Sequence, residues 1–219
     1  MNKWQQMIGW MPALLEATKV TLTLTVLAVS CGLVLSVFLA LGKISKSKIL
    51  NAVCNAYIFF FRGTPLLMQI FFIYYALPLI NPALTIQDRF VAAWIAYSLN
   101  SGAYLAEIIR AAIQSIDKGQ FEAARVLGMS YAKTMRLIII PQSIRRLIPP
   151  VGNEFIMVIK DTSLVSSIAL VDLMKKTSQI MSSSASPLVY LPAMVIYLVI
   201  TAVFTWLFNR LERKFSVYQ

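Results

Sequence analysis

"GQFEAARVLGMSYAKTMRLIIIPQSIRRLIPP", residues Gly119 to Pro150, is a polar, charge-bearing stretch in the middle of a strongly apolar chain. Residues 120–127 contain good helix formers. Glu122 lies in the first turn of this segment, where a negative charge suits the helix dipole. The first part of the stretch therefore predicts a short helix.

A tight turn and a second short helix are predicted next. Gly128 fits the position just after a helix end, and Ser130 fits an N-cap. The second helix would begin at Tyr131, and Pro141 would end or kink it. The whole segment, about residues 117–141, reads as a helix–turn–helix.

The composition around this segment is that of an integral membrane protein. The 219 residues are 58% hydrophobic and 13% charged, and the mean hydropathy is +0.72. A soluble domain carries about 25% charged residues. The chain has no separate soluble region, so residues 1–219 are expected to form a single transmembrane domain.

Five segments are long and apolar enough to cross the hydrocarbon core as helices, at 1.5 Å per residue. They are residues 17–41, 52–80, 90–113, 147–171 and 188–208. Strands are excluded, because a lipid-spanning strand would be about ten residues long with alternating polarity. The predicted fold class is an all-α membrane protein with five transmembrane helices.

The basic residues predict the orientation, because cytoplasmic loops concentrate Lys and Arg. Twelve of them fall on one side of the predicted spans: Lys43, Lys46, Lys48, Lys118, Arg125, Lys133, Arg136, Arg145, Arg146, Arg210, Arg213 and Lys214. The other side has five: Lys3, Lys19, Arg89, Lys175 and Lys176. We therefore expect the N-terminus outside and the C-terminus in the cytoplasm. The formal charge of +11 then reflects membrane topology and not nucleic-acid binding.

The helix–turn–helix is thus the largest predicted cytoplasmic loop. Spacing alone leaves two interpretations open. The loop either only connects two spans, or it docks into a groove of a cytoplasmic partner.

The residues of this loop resemble a known family. Glu122-Ala123-Ala124, then Gly128, then Ile138-Ile139-Ile140-Pro141 is similar to the EAA loop of binding-protein-dependent ABC importer permeases, with Ile140 where that pattern has Leu. Three further segments resemble the polar amino acid uptake branch of the family: "FFFRGTPLLMQIFFIYYALP" at 59–78, "YSLNSGAYLAEIIRAAIQSI" at 97–116 and "GNEFIMVIKDTSLVSSI" at 152–168. The resemblance covers nearly the whole chain.

The resemblance implies a type I ABC importer permease-like fold in a bacterial inner membrane. The loop would be a coupling helix seated in an ATP-binding cassette ATPase, with Glu122, Ala123, Ala124, Gly128 and Pro141 as the coupling residues. ATP and Mg would be bound by that partner, because this chain has no GxxxxGK[ST] phosphate loop. Further expected partners are an extracytoplasmic substrate-binding protein, a second permease copy (a homodimer rather than a heterodimer), a small polar amino acid and membrane lipid.

Three carboxylates fall within predicted spans, where a charge is costly unless it faces a partner or a water-filled path. Glu107 shares a helical stripe with Asn100 and Tyr104, next to Ser101. On the following span, Glu154 and Asp161 lie seven residues apart, flanked by Asn153 and Lys160. These eight residues are the predicted substrate pathway, because an amino acid needs acceptors for its ammonium group and donors for its carboxylate.

Structural roles for the same residues remain open. Glu107 and Arg110 are three apart and would pair at the end of the third span. Lys160 would either neutralise Asp161 or Glu154 within the bundle or pack at the dimer interface. An acidic pocket would favour arginine or lysine, whereas a Lys160–Asp161 pair would suit glutamine or cystine.

Arg62-Gly63-Thr64-Pro65 interrupts the second span. Gly and Pro loosen a helix, so the simple interpretation is a helix break with Arg62 reaching the interface. The alternative is a hinge used in switching between inward and outward states.

Other classes of protein fit less well. A secondary carrier or channel for amino acids is the alternative, but inverted repeats or paired broken helices are not evident. The sequence does not support an enzyme or a metal site, because suitable catalytic and metal-binding side chains are scarce. The chain has no histidine and only two cysteines, Cys31 and Cys54, in apolar segments. ATP hydrolysis is expected in a separate subunit.

Overall fold

The computed structural model describes residues 3–216, and their regular structure is helical. The α-helices are α1 (Lys3–Lys43), α2 (Lys48–Gly63), α3 (Leu66–Ile80), α4 (Arg89–Gln114), α5 (Lys118–Val126), α6 (Tyr131–Thr134), α7 (Ile140–Asp161), α8 (Leu173–Ser184) and α9 (Tyr190–Ser216). Helix α3 contains a π-helical turn, Phe72–Ala76. A second π-helical turn, Met135–Ile139, joins α6 to α7, and a 3₁₀ segment, Thr162–Ile168, follows α7.

Two of the described helices are each long and apolar enough to cross a membrane, namely α1 and the segment Pro187–Phe215 that contains α9. Helices α2 and α3 meet that criterion only together. Helix α1 is longer than the predicted span, since its 41 residues extend over about 60 Å at 1.5 Å per residue. Its length is therefore about twice the thickness of the hydrocarbon core, which is about 30 Å.

The second predicted span is broken at the predicted place. Helix α2 ends at Gly63, α3 begins at Leu66, and the two helices meet at 104°. Thr64 is extended (φ −114°, ψ 143°), as expected for a residue before proline. This segment therefore turns sharply and does not cross the membrane as one straight rod.

The core of the molecule is the pairing of α1 with α4. Small residues let the two backbones approach closely, as in other membrane helix pairs. A Cβ atom added at Gly32 would lie 3.0 Å from the backbone nitrogen of Gly102, and one added at Gly102 would lie 2.9 Å from a methyl carbon of Leu35. Tyr97 and Leu105 on α4 are fully buried in the same core.

The fourth predicted span differs from the prediction at both ends. Helix α7 begins at Ile140, seven residues before the predicted limit of 147. Pro141, which was predicted to end or kink the second loop helix, lies just after the change from π to α hydrogen bonding, where Ile140 N–H donates to the Met135 carbonyl. Proline is tolerated because it falls in the first turn of α7, where no intrahelical donor is needed. At the other end, regular α-helix stops at Asp161, ten residues before the predicted limit of 171.

Candidate functional site: a carboxylate cavity and an exposed helix–turn–helix loop

A cavity of about 410 Å³ lies between the α2–α3 break, α4 and α7. We call it the carboxylate cavity. Its walls are Arg62, Gly63, Thr64, Pro65, Leu66, Tyr97, Asn100, Tyr104, Glu154, Met157, Val158, Asp161 and Leu164. This volume is in the range of small-molecule binding sites.

Two acidic side chains define the chemistry of this cavity. Glu154 is 8% exposed, and Asp161 is half-buried about two helical turns further along α7. Among residues 3–216, neither carboxylate forms an ion pair within 4.0 Å. Ser101 is fully buried, and its hydroxyl lies beside the Glu154 carboxylate. The cavity thus presents two carboxylates that have no ion-pair partner within the described chain.

Asn100 lies in the wall of the cavity, but its amide is engaged by the protein. Its Nδ2 donates to the Phe61 carbonyl and to Gln69 Oε1, both at 3.0 Å. Gln69 Nε2 in turn donates to the Phe61 carbonyl at 2.9 Å and to Thr64 Oγ1 at 2.8 Å. These bonds fix the α2–α3 break.

Glu107 was predicted to belong to the substrate pathway, and its side chain lies outside the wall of the carboxylate cavity. Its Oε1 accepts from Lys43 Nζ at 2.5 Å, and its Oε2 accepts from Arg110 at 2.8 Å. Arg62 Nη1 is a further cation at 3.8 Å from Oε2. The pairing with Arg110 was the other sequence-based interpretation, and the geometry favours it.

Asn153 and Lys160 also lie apart from the cavity wall. Both side chains are exposed, on the face of α7 that turns away from Glu154 and Asp161. Within the described chain, Lys160 forms no ion pair with either carboxylate. Neutralisation of the cavity by a Lys160 pair is therefore not observed.

Sequence reasoning did not assign Tyr97 or Arg62 to the substrate pathway, yet both lie in the cavity wall. Tyr97 is 1% exposed, and its hydroxyl donates to the Asp161 carbonyl at 2.5 Å. Arg62 was assigned only to the helix break, yet it lies in the wall with its Cζ 5.2 Å from the centroid of the Tyr104 ring. The spacing of Tyr97, Asn100 and Tyr104 along one face of α4 was the available signal for Tyr97.

The second candidate site is the helix–turn–helix loop of residues 117–141, whose local structure follows the predicted pattern. Asp117 caps α5 by accepting from Gly119 N–H, and Ser130 caps α6 by accepting from Lys133 N–H. Between the helices, Gly128 has φ +71°, a left-handed conformation that favours glycine. The Met129 N–H closes the turn on the Ala124 carbonyl at 3.0 Å.

The loop exposes an apolar face. Val126, Leu127 and Tyr131 are 87%, 78% and 67% exposed. Glu122 and Ala123 are also exposed, whereas Ala124 is buried at 1%. Ala124, one of the predicted coupling residues, therefore packs within the protein, and its side chain is not exposed for contact with a partner. The face formed by Ala123, Val126, Leu127 and Tyr131 is called the loop face below.

Comparison with known sequences agrees with this geometry. The sequence profile of the family described as "Binding-protein-dependent transport system inner membrane component" matches residues 32–217. The glutamine transport system permease protein GlnP of Escherichia coli is 39% identical over 215 residues, 98% of each chain. The L-cystine transport system permease protein TcyB of Bacillus subtilis is 41% identical over 200 residues, 90% of this chain and 84% of that protein.

A solved structure shares the fold. One chain in a crystal structure of an amino acid ABC transporter with histidines superposes with a TM-score of 0.90 at 41% identity. The match covers 96% of this chain and 97% of that one. The predicted fold class, an all-α ABC importer permease, is confirmed.

Proposed function

We propose that this chain, which belongs to the family of binding-protein-dependent transport system inner membrane components, moves a small polar amino acid into the cytoplasm. Its family makes it a permease subunit and not an enzyme. Movement would occur by alternating access, with the substrate delivered by an extracytoplasmic binding protein. ATP and Mg would be bound by the separate ATPase subunits. The relatives named for glutamine and cystine transport support the substrate class.

The observation that carries the proposal is the carboxylate cavity. Glu154 and Asp161 face a cavity of about 410 Å³ without an ion-pair partner in the described chain. An α-ammonium group is the complement that two such carboxylates lack, and charge-assisted hydrogen bonds are the strong ones. We infer that the substrate ammonium binds between these two side chains. The side-chain oxygen of Asn100, the Ser101 hydroxyl and Tyr104 would lie nearby.

The second element of the proposal is the loop face, which would seat in a cleft of the ATPase. An exposed apolar patch on a short helix is suited to such a groove. Glu122 would add a charge at the contact, and Gly128 would set the angle between α5 and α6. Pro141 lies at the start of α7, so movement of the loop would pass directly into the helix that carries Glu154 and Asp161.

The remaining parts of the proposal concern assembly and orientation. A single chain of this size does not enclose a path, so a second copy would complete it, as a homodimer. The excess of basic residues at 43–48, 118–146 and 210–214 supports a cytoplasmic C-terminus and an outside N-terminus. The Arg62–Pro65 break would serve as a fixed bend in the pathway.

The test is reconstituted transport. The tagged permease is purified with its ATPase, placed in proteoliposomes with the binding protein, and offered labelled glutamine, cystine, arginine and lysine. We expect uptake of at least one of these only when both ATP and the binding protein are present. Uptake without ATP would indicate a secondary carrier, and no uptake of any amino acid would contradict the substrate class.

A further inference from the structure

A second cavity of about 660 Å³ adjoins the carboxylate cavity. We call it the basic cavity. Its walls are Lys43, Asn55, Ala56, Ile58, Phe59, Arg62, Gly63 and Tyr104. Arg62, Gly63 and Tyr104 belong to both cavities, so the two spaces meet at these three residues.

The side chain of Arg62 is held at this meeting point by two weak contacts. Its guanidinium lies over the Tyr104 ring, with Cζ 5.2 Å from the ring centroid, within the range of cation–π attraction. Its Nη1 is 3.8 Å from Glu107 Oε2, which is too long for a hydrogen bond. The side chain is 43% exposed. Neither contact prevents the guanidinium from moving aside.

The surroundings of Arg62 are, in contrast, firmly held. Glu107 is fixed by Lys43 at 2.5 Å and by Arg110 at 2.8 Å. The backbone on both sides of Arg62 is fixed as well, because the Phe61 carbonyl accepts from Asn100 and Gln69, and the Thr64 carbonyl accepts from Gln69 at 3.1 Å. The movable part at the junction is therefore the Arg62 side chain and not the peptide chain.

The positions of the two cavities indicate which of them lies nearer the predicted cytoplasmic side. Lys43 is the last residue of α1 and Asn55 lies in the first half of α2, at the end of the bundle with the predicted cytoplasmic basic residues. The carboxylate cavity is lined by Asp161 and Leu164, beyond Glu154 on the chain and further from that end. A substrate leaving the carboxylate cavity toward the cytoplasm would pass Arg62.

We propose that Arg62 is the gate between the two cavities: stacked on Tyr104 it closes the passage, and displaced from Tyr104 it opens it. This proposal rests on the proposed import function and orientation. Glu107 holds the guanidinium on one side of the junction, and Glu154 offers a second carboxylate on the other side. Gly63, which lines both cavities, leaves open space next to Arg62 in the chain, because a Cβ atom added there would meet nothing within 4 Å.

The test is thiol labelling of the assembled complex in inside-out vesicles, without nucleotide. In a background with Cys31→Ser and Cys54→Ala, Leu164→Cys places a thiol in the carboxylate cavity, and Ala56→Cys places one in the basic cavity as a matched control. A membrane-impermeant maleimide is added from the cytoplasmic side. With Arg62 replaced by Ala, we expect the Leu164→Cys thiol to react about tenfold faster, since a cation–π contact and an exposed ion pair together contribute roughly that factor. The Ala56→Cys thiol should react at an unchanged rate.

A second variant, Tyr104→Leu, tests the same gate if the Arg62→Ala protein does not assemble. Tyr104→Leu removes the stacking surface and leaves the guanidinium in place, so it should also raise labelling of the Leu164→Cys thiol. An unchanged rate for that thiol in both variants would overturn the proposal. An equal increase for the Ala56→Cys thiol would also overturn it, because it would indicate general loosening. Labelling does not depend on the substrate, so a gate found in vesicles that take up no amino acid would refute only the proposed cargo.

Discussion

Asn100 shows how a single buried side chain divides its hydrogen-bonding capacity between structure and function. A side-chain amide has two N–H donors. In Asn100 both are used, one toward the Phe61 carbonyl and one toward Gln69 Oε1. Only the carbonyl oxygen is left to contact a substrate, so the main role of Asn100 is to hold the α2–α3 break in shape.

Replacement of Asn100 by Leu is therefore expected to destabilise the protein. Loss of the amide leaves the Gln69 oxygen buried without its donor, a penalty of about 1–3 kcal/mol. The measurement is the thermal unfolding of the purified complex in detergent. Asn209→Leu, at an exposed position near the end of α9, is the matched control and should leave the unfolding temperature unchanged. Equal unfolding temperatures for the two variants would contradict the proposed role of Asn100 in holding the α2–α3 break.

Asp172 gives a pH-dependent prediction. It is fully buried at the start of α8, where its carboxyl accepts from Lys175 N–H at 2.8 Å and from Met174 N–H at 3.1 Å. Burial raises the pKa of the Asp172 carboxyl to about 6, and the hydrogen bonds oppose this only in part. The folded protein thus holds the proton more tightly than the unfolded chain, so stability is greatest at low pH and falls as pH rises through about 6.

The stability lost between about pH 5 and about pH 7 through this group is roughly 1 kcal/mol. Asp172→Asn keeps a good helix cap and removes the titration. We expect the unfolding temperature of the wild-type protein to fall over this interval relative to that of the Asn variant. Parallel pH profiles for the two proteins would show that Asp172 does not titrate in this range.

At the scale of the helices, short-range signals predicted the local structure well. Ser130, Gly128 and the Arg62–Pro65 break act through neighbours a few residues away, and all three appear where the sequence indicated. The end of α7 was not predictable in the same way. The Thr162 hydroxyl bonds back to the Ile159 carbonyl, and the chain tightens into 3₁₀ structure that apolar composition does not distinguish from α-helix.

The site residues were harder to predict, because they depend on contacts between distant parts of the chain. Glu107 was placed on a pathway from its helical stripe, but Lys43 lies 64 residues away and its pairing with Glu107 was invisible in the sequence. Tyr97 bonds to the Asp161 carbonyl over the same separation. Glu154 and Asp161 were identified because a buried charge within a span is rare enough to stand out.

The prediction at the scale of the helices concerns Gly128. Its φ of +71° costs other residues about 1–2 kcal/mol, least for Asn, while a Cβ atom added there would meet nothing within 4 Å. Substitution should therefore change the angle between α5 and α6 through backbone strain alone. Substrate-stimulated ATP hydrolysis by the assembled complex should fall in the order Gly128, Gly128→Asn, Gly128→Ala and Gly128→Val.

Gly9→Ala is the control for this series. Gly9 also has open space around it, but it lies in the α-helical part of α1. Its substitution should leave coupling intact. A Gly128→Val protein with wild-type assembly and stimulated hydrolysis would contradict the proposed role of the loop.

At the scale of the whole molecule, the loop face predicts how the subunits assemble. Leu127 is 78% exposed, so a change there does not disturb the membrane core. A carboxylate at a buried interface is costly, and Leu127→Asp should weaken binding of the ATPase by at least about tenfold. Copurification of the ATPase with the tagged permease measures this effect. Lys46→Glu, an exposed position in another predicted cytoplasmic loop, should bind as wild type does. Similar recovery with all three proteins would place the docking surface elsewhere.

The most direct test of the carboxylate cavity as the substrate path is ATP-driven amino acid uptake by proteoliposomes that contain Glu154→Gln, with Lys160→Gln as the control. Both variants remove one charge from α7, but only Glu154 faces the carboxylate cavity. Loss of a charged hydrogen bond to the substrate ammonium should lower uptake by about tenfold or more in Glu154→Gln. Uptake by Lys160→Gln should remain near the wild-type rate, and both complexes should assemble. Wild-type uptake by Glu154→Gln would contradict the claim that this cavity is the substrate path.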